Sequence, residues 1–565
     1  MKKVIKTKAG SISLLIAVVL FINIFTGCAS GGSSISTEQL STSATSAAAS
    51  TTASAAVTTT ESATEESTEI VPGSLPIVKG DKITLTAFWP STAEVLRRIG
   101  DLNSNSIFPI LENETNIHIE FQHGNVEQFQ LMINSGDLTD ILYAPDNSYM
   151  YPGGGDKGIA DGVYLRLNEI LDKYGKHYKE LIESTPMFRR DSRTDTGNIY
   201  GFSMVENVIQ GAYTGMIVRR DWFEDLGLDN PPVTYDDWHK MLTLFKNEKG
   251  ASAPLLLPEN LFPDNFVLSS GFGVGYTPGR PFYQDNGKVK FGPIEPAFKD
   301  YITLMAQWYS EGLIDPDFPT RDGASREQLI FTKQAGAWHG GFWTFENYKR
   351  LSEDSDVFRM TAVPNPVLKA GDKTSMRQFN HNVRGQWTMI SAKSKYPIEA
   401  TRWVDNLYSE SNWLLTNYGV EGEGFTWVDG KPQYTDLILK NPDGLTPNVA
   451  QVQYMLQSGP MLRDWTREFP GYSEDELSCE AIWNTSSADS MIPIHLITLT
   501  ADESEEYVRI MNDINTYVQE TCTKYVMGLQ DLNDYDSFVA RINSMDIETA
   551  IKHQQAALDR YYARQ

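Results

Sequence analysis

Cysteine is scarce in this chain: 565 residues hold three, at positions 28, 479 and 522. So few thiols cannot staple a domain of this size, even in a compartment that allows disulfides. Cys479 and Cys522 are read as two separate thiols, at least one of them buried as a small hydrophobe, with one disulfide between them as the alternative. Histidine is also thin, with eight residues scattered along the chain. No H-E-x-x-H and no C-x-x-C occurs, so no zinc or other metal and no cofactor is expected. A G-x-S-x-G elbow and a phosphate-cradling glycine loop are missing too. Basic charge is in deficit: 48 Lys and Arg stand against 73 Asp and Glu, a formal net charge of −25. A polyanionic nucleic-acid partner is therefore disfavoured, and the acidic excess is read as a solvated surface.

Only one long apolar run occurs, from Ser11 to Phe25, behind Lys2, Lys3, Lys6 and Lys8. It is shorter than the roughly 20 residues of a spanning helix, and its basic flank lies on the side that stays inside. Residues 1–27 are therefore expected to be an export signal that is removed. The small residues Thr26 and Gly27 before Cys28 match the lipobox of bacterial lipoproteins. Cys28 is accordingly the expected lipidation site, and two or three acyl chains there would anchor the protein to the outer face of the cell membrane. Residues 28–75 are Ser, Thr and Ala with almost no large apolar side chain, too little to fold. As a coil they would span on the order of 35 to 40 Å, which suits a tether.

The rest is longer than one core usually supports, so two lobes are expected. Ile83 to Trp89, Ile117 to Phe121 and Asp140 to Tyr143 read as strands separated by helical segments, which predicts an α/β sheet with parallel pairs. Four apolar stripes at helical spacing follow. The first runs from Phe298 to Tyr309 and stops at Gly312; the second runs from Ala400 to Tyr408; the third runs from Val508 to Tyr525 and is closed by Gly528. The fourth is read as one helix from Phe538 through Ile551 to Tyr561.

Several strings stand in a recognisable order: Ile199-Tyr200-Gly201-Phe202-Ser203; Arg219 to Leu228, with Asp221, Trp222 and Gly227; Pro232 to Trp238; Gln307 to Pro316; Ile390 to Lys395; and Gly419 to Gly424. From about Lys82 onward the chain resembles the extracellular solute-binding lipoproteins of carbohydrate ABC importers, in particular the large Gram-positive subgroup, and is similar to alginate- and complex-polysaccharide-oligosaccharide binders. The resemblance implies a two-lobed, periplasmic-binding-protein-like α/β fold with hinge strands and a C-terminal helical region. It places lobe 1 at 82–202 plus about 380–427, and lobe 2 at 203–377 plus about 428–565. It implies a monomer that captures an oligosaccharide between the lobes and delivers it to membrane permease subunits, without enzymatic activity. The related alginate binders carry a calcium loop after the helix that begins near Pro232. Here Lys246 to Pro254 offers mostly lysines and alanines, so that metal site is expected to be missing.

Sugar sites combine flat aromatic platforms with a few fixed polar groups. On this ground the candidate ligand-binding residues are Trp89 at the end of the first strand, Tyr213 and Phe272 in glycine-containing segments, Trp338 and Trp343 in the glycine-rich run from Gly336, Arg384 and Trp387 before a β-like run, and Glu421. Core packing is the competing reading for the aromatics, a surface or hinge ion pair for Arg384, and a structural salt bridge for Glu421. Arg384 and Arg219 are the cations that can be placed near these platforms, which favours a neutral or weakly acidic ligand. The functional alternative is an exported polysaccharide-degrading glycoside hydrolase or lyase. It would need two positioned carboxylates, which 73 acidic residues supply by chance and so cannot decide.

Overall fold

The computed structural model describes residues 70–564, apart from 92–94, 98–99, 209–210, 229, 375, 486–489 and 494–495. The expected signal, Cys28 and nearly all of the tether lie outside the described residues. In chain order the strands are β1 (Ile83–Phe88), β2 (Ile117–Gln122), β3 (Ile141–Ala144), β4 (Phe202–Glu206), β5 (Thr214–Arg219), β6 (Ala253–Leu255), β7 (Phe282–Asp285), β8 (Lys288–Phe291), β9 (Ala335–Gly341), β10 (Met360–Val363), β11 (Val383–Ile390), β12 (Phe425–Val428), β13 (Lys431–Tyr434) and β14 (Leu462–Arg463).

The first three strands follow from their sequence. Leu85 and Ala87 on β1 and Ile117 and Ile119 on β2 point to one buried face, while β3 is buried throughout and reads as a continuous apolar run. Parallel neighbours need crossovers, and the helices Phe108–Thr115 and Val126–Ser135 supply them. The second of these opens on a capping box between Asn125 and Gln128 and stops at Gly136, in the left-handed region at φ 73°. β1 pairs in parallel with β2 from Ile83 opposite Ile117 to Phe88 opposite Gln122, and with β3. The completed sheet has the order β14-β4-β11-β3-β1-β2, and β11 runs antiparallel to both of its neighbours. A second sheet has the order β10-β5-β9-β6.

Three stretches of chain connect the two sheets. Residues 207–213 join β4 to β5, residues 364–382 join β10 to β11, and after β14 the chain reaches the helix Glu474–Trp483, which packs on β10. The last connection is pinned by Trp483, whose Nε1 donates to the carbonyl of Met216 at 3.2 Å. Gly215 makes room for that ring, since a Cβ there would stand 2.4 Å from the indole nitrogen. The helix Ala501–Val526 then lays its Ile510, Ile514, Val518 and Tyr525 stripe on the helix Pro296–Ser310.

Where one C-terminal helix was expected, the chain forms two, Tyr535–Ser544 and Ile547–Ala563. Asp546 between them sits at φ 69°, a conformation no α-helix can continue through. Cys479 and Cys522 are buried and unpaired, and no helix among the described residues is long and apolar enough to cross a membrane. The architecture is the two-lobed α/β fold with a helical C-terminal region.

Candidate functional site

Two of the connections between the sheets meet at a polar cavity of about 390 Å³. Gln378, on the β10–β11 connection, fixes the start of β5: its side-chain oxygen accepts from the backbone nitrogens of Tyr213 and Thr214 and from Thr214 Oγ1, each at 2.9 Å. Arg384 on β11 reaches the same place, donating from Nη2 to the Tyr213 hydroxyl at 3.4 Å, with its Nε 3.6 Å from Glu206 Oε1. Glu206 is fully buried at the end of β4, and desolvation raises its carboxyl above the usual range despite Arg384 and Arg463 beside it.

The far wall comes from the second lobe. His339 on β9, Asp264 from the loop after β6 and Arg280 from the turn before β7 all line the cavity. The β6–β7 loop is strained: Leu261, Asn265 and Phe266 hold φ of 72°, 59° and 57°. Such conformations persist only where the surroundings over-determine them. Here Phe266 is buried, and Asn265 Nδ2 donates to Thr214 Oγ1 at 3.1 Å. Burial pushes the His339 imidazole down to about 4 and lowers the Arg280 guanidinium.

Two further cavities adjoin the sheets. One of about 260 Å³ shares Asp264 and His339 with the first and adds Trp338, Glu327 and Tyr348. The other, about 520 Å³, lies at the C-terminal ends of β1 and β3. There Trp89 stands 4.6 Å, centroid to centroid, from Tyr143, whose hydroxyl hydrogen-bonds to Ser458 Oγ at 3.0 Å.

Tyr213 and Arg384 thus share the polar cavity, and Trp338 lines its smaller neighbour. Trp343 stands at the surface, 42 % exposed, with its ring 5.6 Å from that of Tyr213. Gly341 permits this fold-back, because a Cβ there would lie 2.2 Å from the indole. Trp89 lines the separate cavity in the first lobe. The remaining three stand apart from these cavities. Trp387 is 3 % exposed and packs on Tyr200 at 4.5 Å, Phe272 packs between Tyr235 and Tyr301, and Glu421 is exposed at an isolated β-bridge with Phe425. Arg219 is sealed between Trp222 and Phe358 and bonded to Asp221 and Asp354, so it supplies no cation to a cavity. Asp264, Arg280, His339 and Gln378 were not singled out from sequence; the turn residues Pro263-Asp264-Asn265 and Gly279-Arg280 were the signals available.

Among the described residues no group of three His, Cys, Asp or Glu side chains is placed to hold a metal. In the stretch after the helix Tyr235–Lys249, Lys246 bonds to the Glu311 carbonyl at 2.6 Å, Lys249 pairs with Asp225 at 2.9 Å, and Gly250 caps the helix at φ 69°.

The chain is similar to the fructooligosaccharide ABC transporter substrate-binding protein FusA of Streptococcus pneumoniae, 25 % identical over 57 % of this chain and 61 % of FusA, so the match spans less than two thirds of that relative. It is 22 % identical to the lipoprotein LipO of Bacillus subtilis over 73 % of this chain and 80 % of LipO. An extracellular solute-binding protein from Bifidobacterium longum subsp. infantis shares the fold, with a TM-score of 0.70 over 85 % of this chain and 98 % of that one at 17 % identity. Residues 104–412, more than half of the chain, match the model of the bacterial extracellular solute-binding proteins, and the protein belongs to that family.

Proposed function

We propose that the protein captures an oligosaccharide outside the cell and delivers it to the permease of an ABC importer, without cleaving it. The observation that carries this reading is the polar cavity where the connections between the sheets meet. Aromatic faces, Tyr213 and Trp343, stand beside polar groups contributed by both lobes, the pairing of surfaces that a sugar's C–H faces and hydroxyls require. The name of FusA, a fructooligosaccharide-binding relative, supports the same ligand class. Tyr213, Trp338, Trp343 and Arg384 are the residues proposed to meet the ligand here, with Trp89 in the neighbouring first-lobe cavity. Pairing of β14 with β4 supports extending the return segment of lobe 1 from 427 to about Arg463. Cys28 is proposed to carry the lipid that holds the monomer at the membrane, in keeping with the lipoprotein relative LipO.

The test is calorimetry and thermal shift against neutral and acidic oligosaccharides of two to six units, with chromatography of the sugars afterwards. Saturable binding that raises the melting temperature, with the sugars recovered intact, is expected, because a ligand that binds only the folded state stabilises it by mass action. Shortened products would overturn the reading in favour of a hydrolase or lyase. Absence of binding across both sets would remove the carbohydrate assignment.

A further inference from the structure

Within the polar cavity, three titratable side chains have no polar partner, and Asp264 and Arg280 are two of them. Neither side chain makes a hydrogen bond or an ion pair within 4 Å, although they are close enough for Asp264 to act electrostatically on both Arg280 and His339. His339 Nε2 is buried with no hydrogen-bond partner, and so is Trp338 Nε1 in the adjoining cavity that shares Asp264 and His339. Unsatisfied buried polar atoms also occur in the packed core, at Trp238 Nε1, Trp308 Nε1 and Arg219 Nη1, but His339 and Trp338 border cavities, where a ligand can supply the missing partner.

Around them the circuits are closed. Arg384 faces Glu206 at 3.6 Å, and His381 Nδ1 stands 3.1 Å from Asp191 Oδ2. Thr214 and Gln378 bond to one another. What stays open is one carboxylate, one guanidinium and an imidazole held neutral at physiological pH by its burial, on a loop whose strained backbone keeps Asp264 at the wall.

We propose that Asp264, Arg280 and His339 form a subsite for the vicinal hydroxyls of a neutral sugar unit; this rests on the carbohydrate reading above. A carboxylate accepts only and a guanidinium donates only, so a pair of adjacent hydroxyls, each both donor and acceptor, completes both. The charges settle the class of ligand. Asp264 already offsets Arg280, and Glu206 and Asp191 face Arg384 and His381, so the wall holds no uncompensated cation for a uronate carboxylate. An anionic sugar would meet Asp264 directly. Asp264 is exposed and exchanges water for the sugar, and hydrogen bonds to charged groups are the stronger kind, so the subsite carries affinity as well as selectivity.

The experiment titrates wild type, Asp264→Asn and Arg280→Met with a neutral set (fructo-, malto- and manno-oligosaccharides of three to five units) and a uronate set (oligogalacturonates and oligoalginates of the same lengths), with melting of each ligand-free variant as the control for folding. Wild type is expected to bind a member of the neutral set at least tenfold tighter than any uronate. Asp264→Asn and Arg280→Met should each lose tenfold or more toward that sugar while melting within a few degrees of wild type. The sign at Asp264 decides the class: an anionic ligand would bind tighter once that carboxylate is neutralised. Preference for uronates with a gain on Asp264→Asn would overturn the subsite and leave the carbohydrate function standing, as would unchanged affinity in both variants. A wild type that binds neither set overturns the carbohydrate reading, and the subsite with it. Should a variant fail to fold, Asp264→Glu and Arg280→Lys, which keep the charge and shift its position, must show the same loss for the proposal to stand.

Discussion

Arg219 and Arg280 both belong to the lobe built on the four-stranded sheet, and their surroundings differ in one respect. Arg219 lies between the rings of Trp222 and Phe358, at 4.8 and 4.2 Å, with Asp221 and Asp354 on its Nε and Nη2 atoms. Arg280 faces a cavity and bonds to nothing. Arg280 is half-buried, with Asp264 near enough to act on it electrostatically, and its guanidinium makes no hydrogen bond, so its donors are open to a ligand. Arg219 keeps one unfilled donor, Nη1, so what separates the two arginines is that Arg219 is sealed by ion pairs and rings while Arg280 borders a cavity. The same contrast separates Trp387, sealed on Tyr200, from Trp343, exposed beside Tyr213.

The comparison can be broken at its structural end first. Arg219→Met should leave Asp221 and Asp354 unpaired and cost about 3–5 kcal/mol of stability, read by chemical denaturation, with the affinity of the folded fraction for sugar unchanged. A loss below about 1 kcal/mol would mean that the closed circuit contributes no more than a surface pair. Trp387→Ala should cost a similar amount, about 3–5 kcal/mol, again without an affinity change of its own.

His339 sharpens the comparison through pH. Its imidazole titrates near 6.5 when unfolded and near 4 in the folded protein. Above pH 6.5 both states are neutral and the full stability is present. As pH falls from 6.5 toward 4 the unfolded chain takes a proton that the folded chain refuses, so stability declines, by up to about 3 kcal/mol. His339→Gln should flatten that part of the curve. Parallel curves for the two proteins would show that the imidazole is not held neutral. Smallest in stability is Trp343→Ala, expected to shift unfolding by no more than about 0.5 kcal/mol, yet to weaken sugar binding about 5- to 150-fold, the range of aromatic stacking at other sites. Loss of stability with intact binding would move Trp343 to the packing side of the contrast.

Local patterns were readable from sequence and long-range assembly was not. The stripes from Phe298, Ala400 and Val508 became helices because apolar spacing and a following glycine are encoded within twenty residues. The last stripe looked unbroken because its period continues past Asp546, while the left-handed backbone there is imposed from outside the stripe. The site shows the same division. Glycine-rich aromatic runs pointed to Tyr213, Trp338 and Trp343, which lie in or beside the cavities, but Asp264 and Arg280 are ordinary loop residues whose meaning depends on distant neighbours, Thr214 on β5 and His339 on β9. Trp387 and Phe272 carried the same aromatic signal as Trp343, and only packing distinguishes them.

The three connections between the sheets have a mechanical consequence. A body held by one strap can twist, slide and swing, and each further strap removes freedoms. With three segments joining them, between β4 and β5, between β10 and β11 and after β14, the two sheets keep fewer independent motions than a single link would allow. The Tyr213 and Gln378 junction ties two of those connections together, whereas the Trp89 cavity lies away from them at the C-terminal ends of β1 and β3. A sugar unit bound at that junction, as proposed, would be held by segments that belong to both sheets at once.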